Sequence, residues 1–274
     1  MIPELIARAR KIVVKIGSNT LTDQEGRIDA PFLAEFAGQT ADFIAKGKQI
    51  VIVSSGAQAA GLSTLGKWTR KQDIHYKQAL CAVGQVELMG AWLRAFAPWG
   101  LRIAQILLTR DDFGDPIRTL NMRNTLFTLV DEGIVPVINE NDTVGVEEIK
   151  IGDNDTLAAQ SAVLWSADLL VLFSDIDGLY RENPKEHPES ELIEAVRDIR
   201  AVRERISIGG ASRFGTGGIA TKLDAAERAL SYGIPMILAH GGRPRALEAL
   251  AAGNQRGTAF LAEPAAPAGE KQCG

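Results

Sequence analysis

The feature that most constrains the fold is a regular alternation of short apolar runs with segments of helical period. The runs have the length of strands and are Ile12–Ile16, Ile50–Val53, Leu101–Leu108, Ile134–Ile138, Leu169–Phe173 and Ile234–Ala239. The segments of helical period are Gln72–Phe96, Asn121–Glu132, Leu157–Trp165, Ile219–Tyr232 and Pro244–Ala252, with a further helix between Pro31 and Gly47. This alternation predicts an α/β fold, a three-layer α/β/α sandwich around a central, mostly parallel sheet.

Two further expectations follow from this pattern. Pro136 lies inside one of the predicted strands, and because proline has no N–H to donate, it predicts an edge strand or a bulge there. Ligands of open parallel sheets bind at the carboxyl ends of the strands. The residues that directly follow each apolar run are therefore the candidates for a functional site.

Composition excludes several classes of function. The net charge of the 274 residues is −4, so a broadly basic surface for nucleic acid is not expected. No apolar run is long enough to span a bilayer, and residues 1–15 lack the apolar core of a signal peptide. The two cysteines, Cys81 and Cys273, are expected to be free thiols. The three histidines lack the spacing of metal ligands. Because neither a membrane span nor a signal peptide is indicated, we expect a soluble, cytoplasmic protein.

The first two apolar runs end in small and polar residues. Lys15 lies near the end of the first run, which is followed by Gly17 and Ser18, whose backbone N–H groups can hold a phosphate. A lysine that reaches the surface beside a turn explains this segment equally well. The second run ends in Ser54-Ser55-Gly56-Ala57, which fits an anion site at a helix start and also fits an ordinary tight turn.

Two dense groups of Asn and Asp residues come later in the chain. Asn139-Glu140-Asn141-Asp142 follows an apolar run, and Gly152-Asp153-Asn154-Asp155 opens a helix. Such residues often serve only as turn formers and helix caps. The presence of two groups nevertheless favours a site for a ligand with an ammonium group, because carboxylates bind ammonium and Asn side chains both donate and accept.

A glycine-rich segment precedes the helix that begins near residue 219. Gly215-Thr216-Gly217-Gly218-Ile219-Ala220-Thr221-Lys222 combines small residues, a helix start and a lysine in the first turn. This combination predicts an anion site and is less typical of a merely flexible loop. Ser174-Asp175-Ile176-Asp177-Gly178 follows another apolar run and, taken alone, indicates a turn.

Taken together and in this order, these motifs resemble those of the glutamate 5-kinases, which belong to the amino-acid-kinase superfamily. The resemblance runs from about Lys11 to Phe260. It includes the segments Leu107–Arg110 and Leu120–Leu126, and it is carried most specifically by the ordered pair of Asn-Glu-Asn-Asp and Gly-Asp-Asn-Asp motifs.

The resemblance implies a role for each motif. The implied catalytic residues are Lys15, Lys222 and Asp155, with the two lysines on the ATP phosphates and the aspartate orienting them. The implied ATP-binding residues are Lys15, Gly17, Ser174, Asp175, Thr216, Gly217, Gly218, Ile219, Ala220, Thr221 and Lys222. The implied glutamate-binding residues are Ser55, Asn139, Asp142, Asp153 and Asn154.

The resemblance also implies ATP-dependent phosphorylation of the side-chain carboxylate of L-glutamate, the first step of proline biosynthesis. Mg²⁺ would be held mainly by the ATP phosphates and not by protein ligands. It further implies a homo-oligomer, a dimer or a tetramer, with feedback inhibition by L-proline and coupling to the next reductase of the pathway. Neither nucleic acid nor membrane is an expected partner.

The expected domain organisation is one kinase domain over residues 1–262. Residues 1–167 would form a lobe for glutamate, residues 168–262 a lobe for ATP, and residues 263–274 a disordered tail. Many members of the family carry an additional C-terminal domain of the PUA type, which this sequence lacks. Two alternatives stay open: a kinase of the same fold acting on aspartate, N-acetylglutamate, carbamate or UMP, and a binding module without turnover.

Overall fold

The computed structural model describes residues 1–23, 25–66, 73–145, 154–182, 184, 186–208 and 218–262. The strands are β1 (Lys11–Ile16), β2 (Gln49–Ser54), β3 (Arg102–Leu108), β4 (Ile134–Glu140), β5 (Leu169–Ser174), β6 (Ala195–Val196), β7 (Met236–His240) and β8 (Thr258–Phe260). The helices are α1 (Ile2–Arg8), α2 (Ser18–Leu21), α3 (Ala30–Ala45), α4 (Ala57–Leu65), α5 (Ile74–Phe96), α6 (Pro116–Asp131), α7 (Asp155–Trp165), α8 (Ile199–Ile208), α9 (Gly218–Leu230) and α10 (Ala246–Ala252).

One eight-stranded sheet forms the centre of the molecule, in the order β3-β4-β2-β1-β5-β7-β8-β6. β1 lies between β2 and β5 and pairs in parallel with both. β8 runs antiparallel to β7, so the sheet is mostly but not wholly parallel. The prediction of a central, mostly parallel sheet is therefore confirmed.

Helices cover both faces of this sheet because its central strands are apolar on both sides. Ile12, Val14 and Ile16 of β1 pack into a core that includes side chains of α3, α5 and α10. Val13, between them in sequence, points to the other face and joins a core that includes side chains of α7 and α9. Successive side chains of a strand alternate between faces, so this division produces the three layers. None of the described helices has a segment long and apolar enough to cross a membrane.

The expectation that Pro136 marks an edge strand is wrong. β4 lies inside the sheet between β3 and β2, and the edge position is taken by β3. Pro136 is aligned with Ala104 of β3, whereas the pairing of β4 with β2 begins one residue later, at Val137. On the β2 side a residue without an N–H is tolerated because the pairing with β2 begins only at the next residue.

The helix boundaries follow local capping chemistry. α5 begins at Ile74, where the Asp73 carboxylate accepts hydrogen bonds from the backbone N–H groups of His75 and Tyr76. α6 begins earlier than the predicted Asn121 because Asp115 caps it and Pro116 occupies its first turn. A capping aspartate followed by proline is a standard helix start.

Candidate active site

The candidate site lies where the carboxyl ends of β1, β2, β4 and β5 meet. β1 pairs with β2 and β5, and β2 pairs with β4, so residues that follow these strands are brought to one edge of the sheet. α7 and α9 then add their first turns to this edge through Asp155 and Lys222. Elements far apart in sequence thus contribute to one site.

A buried cluster of three charged side chains forms the centre of this edge, and we call it the lysine cluster: Lys15, Asp155 and Lys222. The Nζ atom of Lys15 lies 2.7 Å from Asp155 Oδ1, and the Nζ atom of Lys222 lies 3.0 Å from Asp155 Oδ2. Lys15 and Lys222 are only 4% and 7% exposed, and Asp155 is fully buried. Thr221 also donates to Asp155 Oδ2, at 3.2 Å.

The lysine cluster carries one more positive than negative charge. Isolated charges are strongly unfavourable in a protein interior, so buried ions are normally paired. Here one carboxylate is shared by two ammonium groups, and the local excess is positive. Asp155 occupies the first turn of α7, where a carboxylate is favoured by the helix dipole. A cluster of this kind is suited to hold an anionic group such as a phosphate.

Gly17, Ser174 and Asp175 lie around this cluster. A Cβ atom added to Gly17 would be 3.5 Å from Lys15 Nζ, so residue 17 lies directly against the ammonium group. The Asp175 carboxylate accepts from Asn19 Nδ2 at 3.0 Å and from Ser174 Oγ at 3.1 Å. Desolvation acts to raise the pKa of Asp175, but these hydrogen bonds and the charge of Lys222 outweigh it and hold the pKa below its ordinary value.

The first turn of α9 contains the described part of the glycine-rich segment. Gly218 begins the helix and Ile219, Ala220 and Thr221 lead to Lys222. The unpaired N–H groups of a helix start attract anions, and Lys222 adds a full charge at the same place. Two of the predicted ATP-binding residues, Thr216 and Gly217, lie outside the described residues.

A second group of side chains, which we call the amide cluster, consists of Gln85, Asn139 and Asn154. Asn139 donates from Nδ2 to Gln85 Oε1 at 2.8 Å, and its own Oδ1 accepts from Asn154 Nδ2 at 2.7 Å. Asn154 Nδ2 also donates to the backbone oxygen of Ser54 at 3.1 Å. Because Asn154 directly precedes Asp155, the amide cluster adjoins the lysine cluster.

Three buried polar atoms in or beside the amide cluster have no hydrogen-bond partner within the described parts of the chain: Asn154 Oδ1, Gln85 Nε2 and Ser55 Oγ. Asn154 and Ser55 are at most 1% exposed. Buried polar atoms are almost always hydrogen-bonded in native proteins, so each exception calls for an explanation. A ligand that binds here and supplies the missing partners is such an explanation.

Asp142 follows β4 and is 6% exposed. Burial raises the pKa of Asp142 to about 6, and a hydrogen bond with Cys81 opposes this rise. Gln78 Nε2 donates to the backbone oxygen atoms of Asp142 at 3.0 Å and of Thr143 at 3.3 Å, which fixes this loop against α5. A buried carboxylate that is mostly ionised at neutral pH can bind an ammonium group.

The structure thus brings the predicted residues Ser55, Asn139, Asn154 and Asp155 to one edge of the sheet, whereas Asp153 lies outside the described residues. The sequence patterns did not indicate the contribution of α5. Gln78, Cys81 and Gln85 recur at helical spacing. Gln78 and Cys81 contact Asp142 in the loop that follows β4, and Gln85 contacts Asn139 near the end of β4. Two glutamines within an apolar helix were the available sign, but their spacing alone does not show what they face.

One histidine lies beside two carboxylates elsewhere on the surface. The ligand atoms of Glu182, His187 and Glu189 lie within 4.8 Å of one another, although the sequence shows no spacing typical of a metal site. Both glutamates are exposed, and His187 Nδ1 is 3.4 Å from Glu189 and 3.8 Å from Glu182. These distances fit ordinary polar contacts at the protein surface, where acidic groups are common without a bound metal ion. Cys81 is buried and forms no disulfide within the described part of the chain, as expected, and Cys273 lies outside the described residues.

Comparison with known proteins places this geometry in context. Residues 10–258 match the model of the "Amino acid kinase family". A "Glutamate 5-kinase" of Alkaliphilus metalliredigens (strain QYMF) is 60% identical over 262 residues, which cover 96% of this chain and 99% of the relative. A "Glutamate 5-kinase" of Alkaliphilus oremlandii (strain OhILAs) is 54% identical over 96% of this chain and 100% of its own length.

Solved structures show the same architecture at low identity. The crystal structure of UMP kinase from Ureaplasma parvum superposes with a TM-score of 0.64 at 16% identity and covers 93% of this chain and 99% of that chain. At this identity the likeness concerns the fold alone.

Proposed function

The chain belongs to the amino acid kinase family, and on that premise we propose that it transfers the γ-phosphoryl group of ATP to the side-chain carboxylate of L-glutamate. The product is L-glutamyl 5-phosphate, and the reaction is the first step of proline biosynthesis. The observation that carries the proposal is the lysine cluster, with its excess positive charge, directly beside an amide cluster that has unpartnered buried polar atoms. Relatives of 60% and 54% identity named "Glutamate 5-kinase" support it.

The lysine cluster acts on the phosphoryl group. An oxygen of the glutamate side-chain carboxylate attacks the γ-phosphorus, the bond from that phosphorus to the β,γ-bridging oxygen breaks, and its electron pair stays on ADP. No general base is required because the carboxylate is already ionised. Lys15 and Lys222 offset the repulsion between the two anions and the charge that spreads over the transferring group. Asp155 holds both ammonium groups in place.

The nucleotide binds along β5 and the start of α9. We assign the binding of the nucleotide to Gly17, Ser174, Asp175, Gly218, Ile219, Ala220 and Thr221 and, from the sequence motif, to Thr216 and Gly217. Mg²⁺, held mainly by the ATP phosphates, supplies further neutralisation of charge. The local positive excess and the helix start at Gly218 fit a bound polyphosphate.

Glutamate binds at the amide cluster. Its ammonium group pairs with Asp142 and with Asn154 Oδ1, which is buried and without a partner in the described chain. Ser55 Oγ, likewise unpartnered, and Asn139 complete the described part of the pocket, and Asp153 of the sequence motif belongs to the same side. The carboxylates of Asp142 and Asp153 favour a substrate with a free amino group over N-acetylglutamate, carbamate or UMP.

Further properties extend this proposal. We infer a cytoplasmic enzyme with two lobes that meet near residue 168, inhibition by L-proline, and transfer of the labile acyl phosphate to the next reductase.

A homo-oligomer is supported by exposed apolar side chains at Val86 and Leu93, seven residues apart on α5. Exposed apolar residues on one helix face are typical of an interface between subunits.

The proposed function is tested by measuring ADP release with Mg-ATP and hydroxylamine. L-Glutamate, L-aspartate, N-acetylglutamate, carbamate and UMP are offered in parallel. We expect ADP release with glutamate and an equal amount of hydroxamate. Replacing Lys222 by Met is expected to lower kcat by about 10²- to 10³-fold, as for the loss of one preorganised donor.

A matched control is available on the same helix. Arg228→Met removes one exposed positive charge from the last turn of α9 and leaves both lysines, so its kcat is expected not to change. Activity with another acceptor alone would overturn the assignment of glutamate. An unchanged kcat in Lys222→Met would overturn the role of the lysine cluster. ATP binding without turnover of any acceptor would indicate a binding module instead.

A further inference from the structure

Gln85 has a side-chain amide of which only one half is used. Its Oε1 accepts from Asn139 Nδ2 at 2.8 Å. Its Nε2 is buried and has no hydrogen-bond partner in the described chain. An unsatisfied buried NH₂ group is unfavourable, and in native proteins it indicates a ligand or an ordered water.

The orientation of this amide is fixed by two backbone groups. The N–H of Glu140, which can only donate, lies 2.9 Å from Asn139 Oδ1. The carbonyl of Ser54, which can only accept, lies 3.1 Å from Asn154 Nδ2. Exchanging oxygen and nitrogen in either Asn would therefore break a hydrogen bond to the backbone.

The consequence for Gln85 follows from this orientation. Asn139 turns its NH₂ group toward Gln85, so Gln85 has to present its oxygen there and keep its own NH₂ group free. The amide cluster thus has a free donor at the Gln85 end and a free acceptor, Oδ1, at the Asn154 end. A ligand that satisfies both ends carries a hydrogen-bond acceptor at one point and a donor at another.

An α-amino acid has this arrangement in its carboxylate and ammonium groups. The Asn154 end offers an oxygen that can only accept, which suits the ammonium group and leaves the α-carboxylate for the donor at Gln85. The side-chain carboxylate is then free to face the lysine cluster. We propose that Gln85 Nε2 donates a hydrogen bond to the α-carboxylate of the acceptor amino acid and is a specificity-determining residue. This inference rests on the proposed function.

The test compares glutamate with 4-aminobutyrate, which is glutamate without its α-carboxylate. Gln85→Met removes the donor, and Gln85→Glu keeps an oxygen for Asn139 while replacing the donor by a carboxylate oxygen. We expect kcat/KM for glutamate to fall by about 10- to 100-fold in Gln85→Met and at least as much in Gln85→Glu, as for a lost hydrogen bond to a charged group. The inhibition constant of 4-aminobutyrate against glutamate is expected to stay within about threefold, because that ligand never uses the donor.

The KM for ATP reports whether the variants are folded, and it is expected not to change. Glu87→Gln, on an exposed turn of the same helix, is the control and should behave as the original protein. An unchanged kcat/KM for glutamate in Gln85→Glu would overturn the proposal, because this variant keeps an oxygen for Asn139 but has no donor for the α-carboxylate. The proposal would also be overturned if the inhibition constant of 4-aminobutyrate rose by as large a factor as kcat/KM for glutamate fell. An original protein with no glutamate-dependent ADP release would instead contradict the proposed function itself.

Discussion

At the scale of single residues, Asp142 has properties that favour binding over stability. Burial favours the neutral form of this carboxyl group and raises its pKa from 3.8 to about 6. The folded protein therefore holds a proton between about pH 4 and pH 6 that the unfolded chain has released. It follows that the contribution of Asp142 to stability falls as the pH rises through this window.

We therefore expect Asp142→Asn to be more stable than the original protein at pH 7, by about 1–3 kcal/mol. The advantage should disappear below about pH 4, where Asp142 is protonated in both states. The same variant should bind glutamate more weakly by at least tenfold, with little change in the KM for ATP. Denaturant unfolding at pH 4 and pH 7 measures the first effect and steady-state kinetics the second.

The pH dependence of kcat/KM for glutamate gives a control for the role of Asp142 in substrate binding. In the original protein kcat/KM for glutamate is expected to fall as the pH drops through about 6, because a protonated Asp142 no longer attracts the ammonium group. In Asp142→Asn this step should be absent. A variant that is less stable at pH 7 and retains the acid limb would show that Asp142 plays no part in the site.

At the scale of elements, the approach of α4 to α5 shapes the acceptor pocket. A Cβ atom on Gly84 of α5 would lie 1.8 Å from the backbone oxygen of Ala57, and one on Gly61 of α4 would lie 1.9 Å from that of Leu80. The two helix backbones are thus in direct contact. α4 begins two residues after Ser55, and α5 carries Gln85, so we expect the separation of these helices to set the distance between the two proposed substrate-binding side chains.

Gly84→Ala is expected to force these helices apart. The predicted loss of stability is about 1–3 kcal/mol, as for overpacking of a core, and the KM for glutamate should rise more than the KM for ATP. Gly90→Ala on the same helix is the matched control. There the added Cβ would meet the flexible side chain of Arg94 at 3.2 Å, so a neutral or stabilising effect is expected from the better helix propensity. Equal effects of the two substitutions would contradict the close-packing argument.

The elements also show what a sequence can and cannot predict. The apolar run that forms β1 and the Asx-rich start of α7 are visible as local patterns, and so are the polar residues that follow β1. Strand β8 has only three residues, and its antiparallel pairing with β7 depends on contacts that no local pattern encodes. The position of Pro136 was misjudged for the same reason, since strand order is a property of the whole sheet.

The candidate site likewise contains some residues that the sequence indicates and others that it does not. Lys15, Asp155 and Lys222 each stand at a recognisable motif, and the resemblance to a known family supplied their grouping. Gln85 lies in the middle of a helix, and its partner Asn139 is 54 positions away. The packing of α5 against the end of β4 places its amide beside Asn139.

At the scale of the whole molecule, both proposed lobes share one sheet. Residue 168 directly precedes β5 and lies beside the start of β1, and these two strands are paired along their length. The Asp168 carboxylate accepts from the backbone N–H groups of Arg10 and Lys11, both at 2.8 Å, which ties the proposed boundary to the start of β1. A continuous sheet of this kind holds the lysine cluster at a fixed position between nucleotide and acceptor.

The central claim is that an oxygen of the glutamate side-chain carboxylate attacks the γ-phosphorus of ATP at the lysine cluster. The most direct test uses L-glutamate labelled with ¹⁸O in that carboxylate, with Mg-ATP and hydroxylamine. Hydroxylamine attacks the carbonyl carbon of the acyl phosphate and releases phosphate that keeps the bridging oxygen. The account predicts one ¹⁸O atom in each phosphate released, measured by the isotope shift in the ³¹P NMR spectrum. Phosphate without the label would contradict it, because the phosphoryl group would then have been transferred to water.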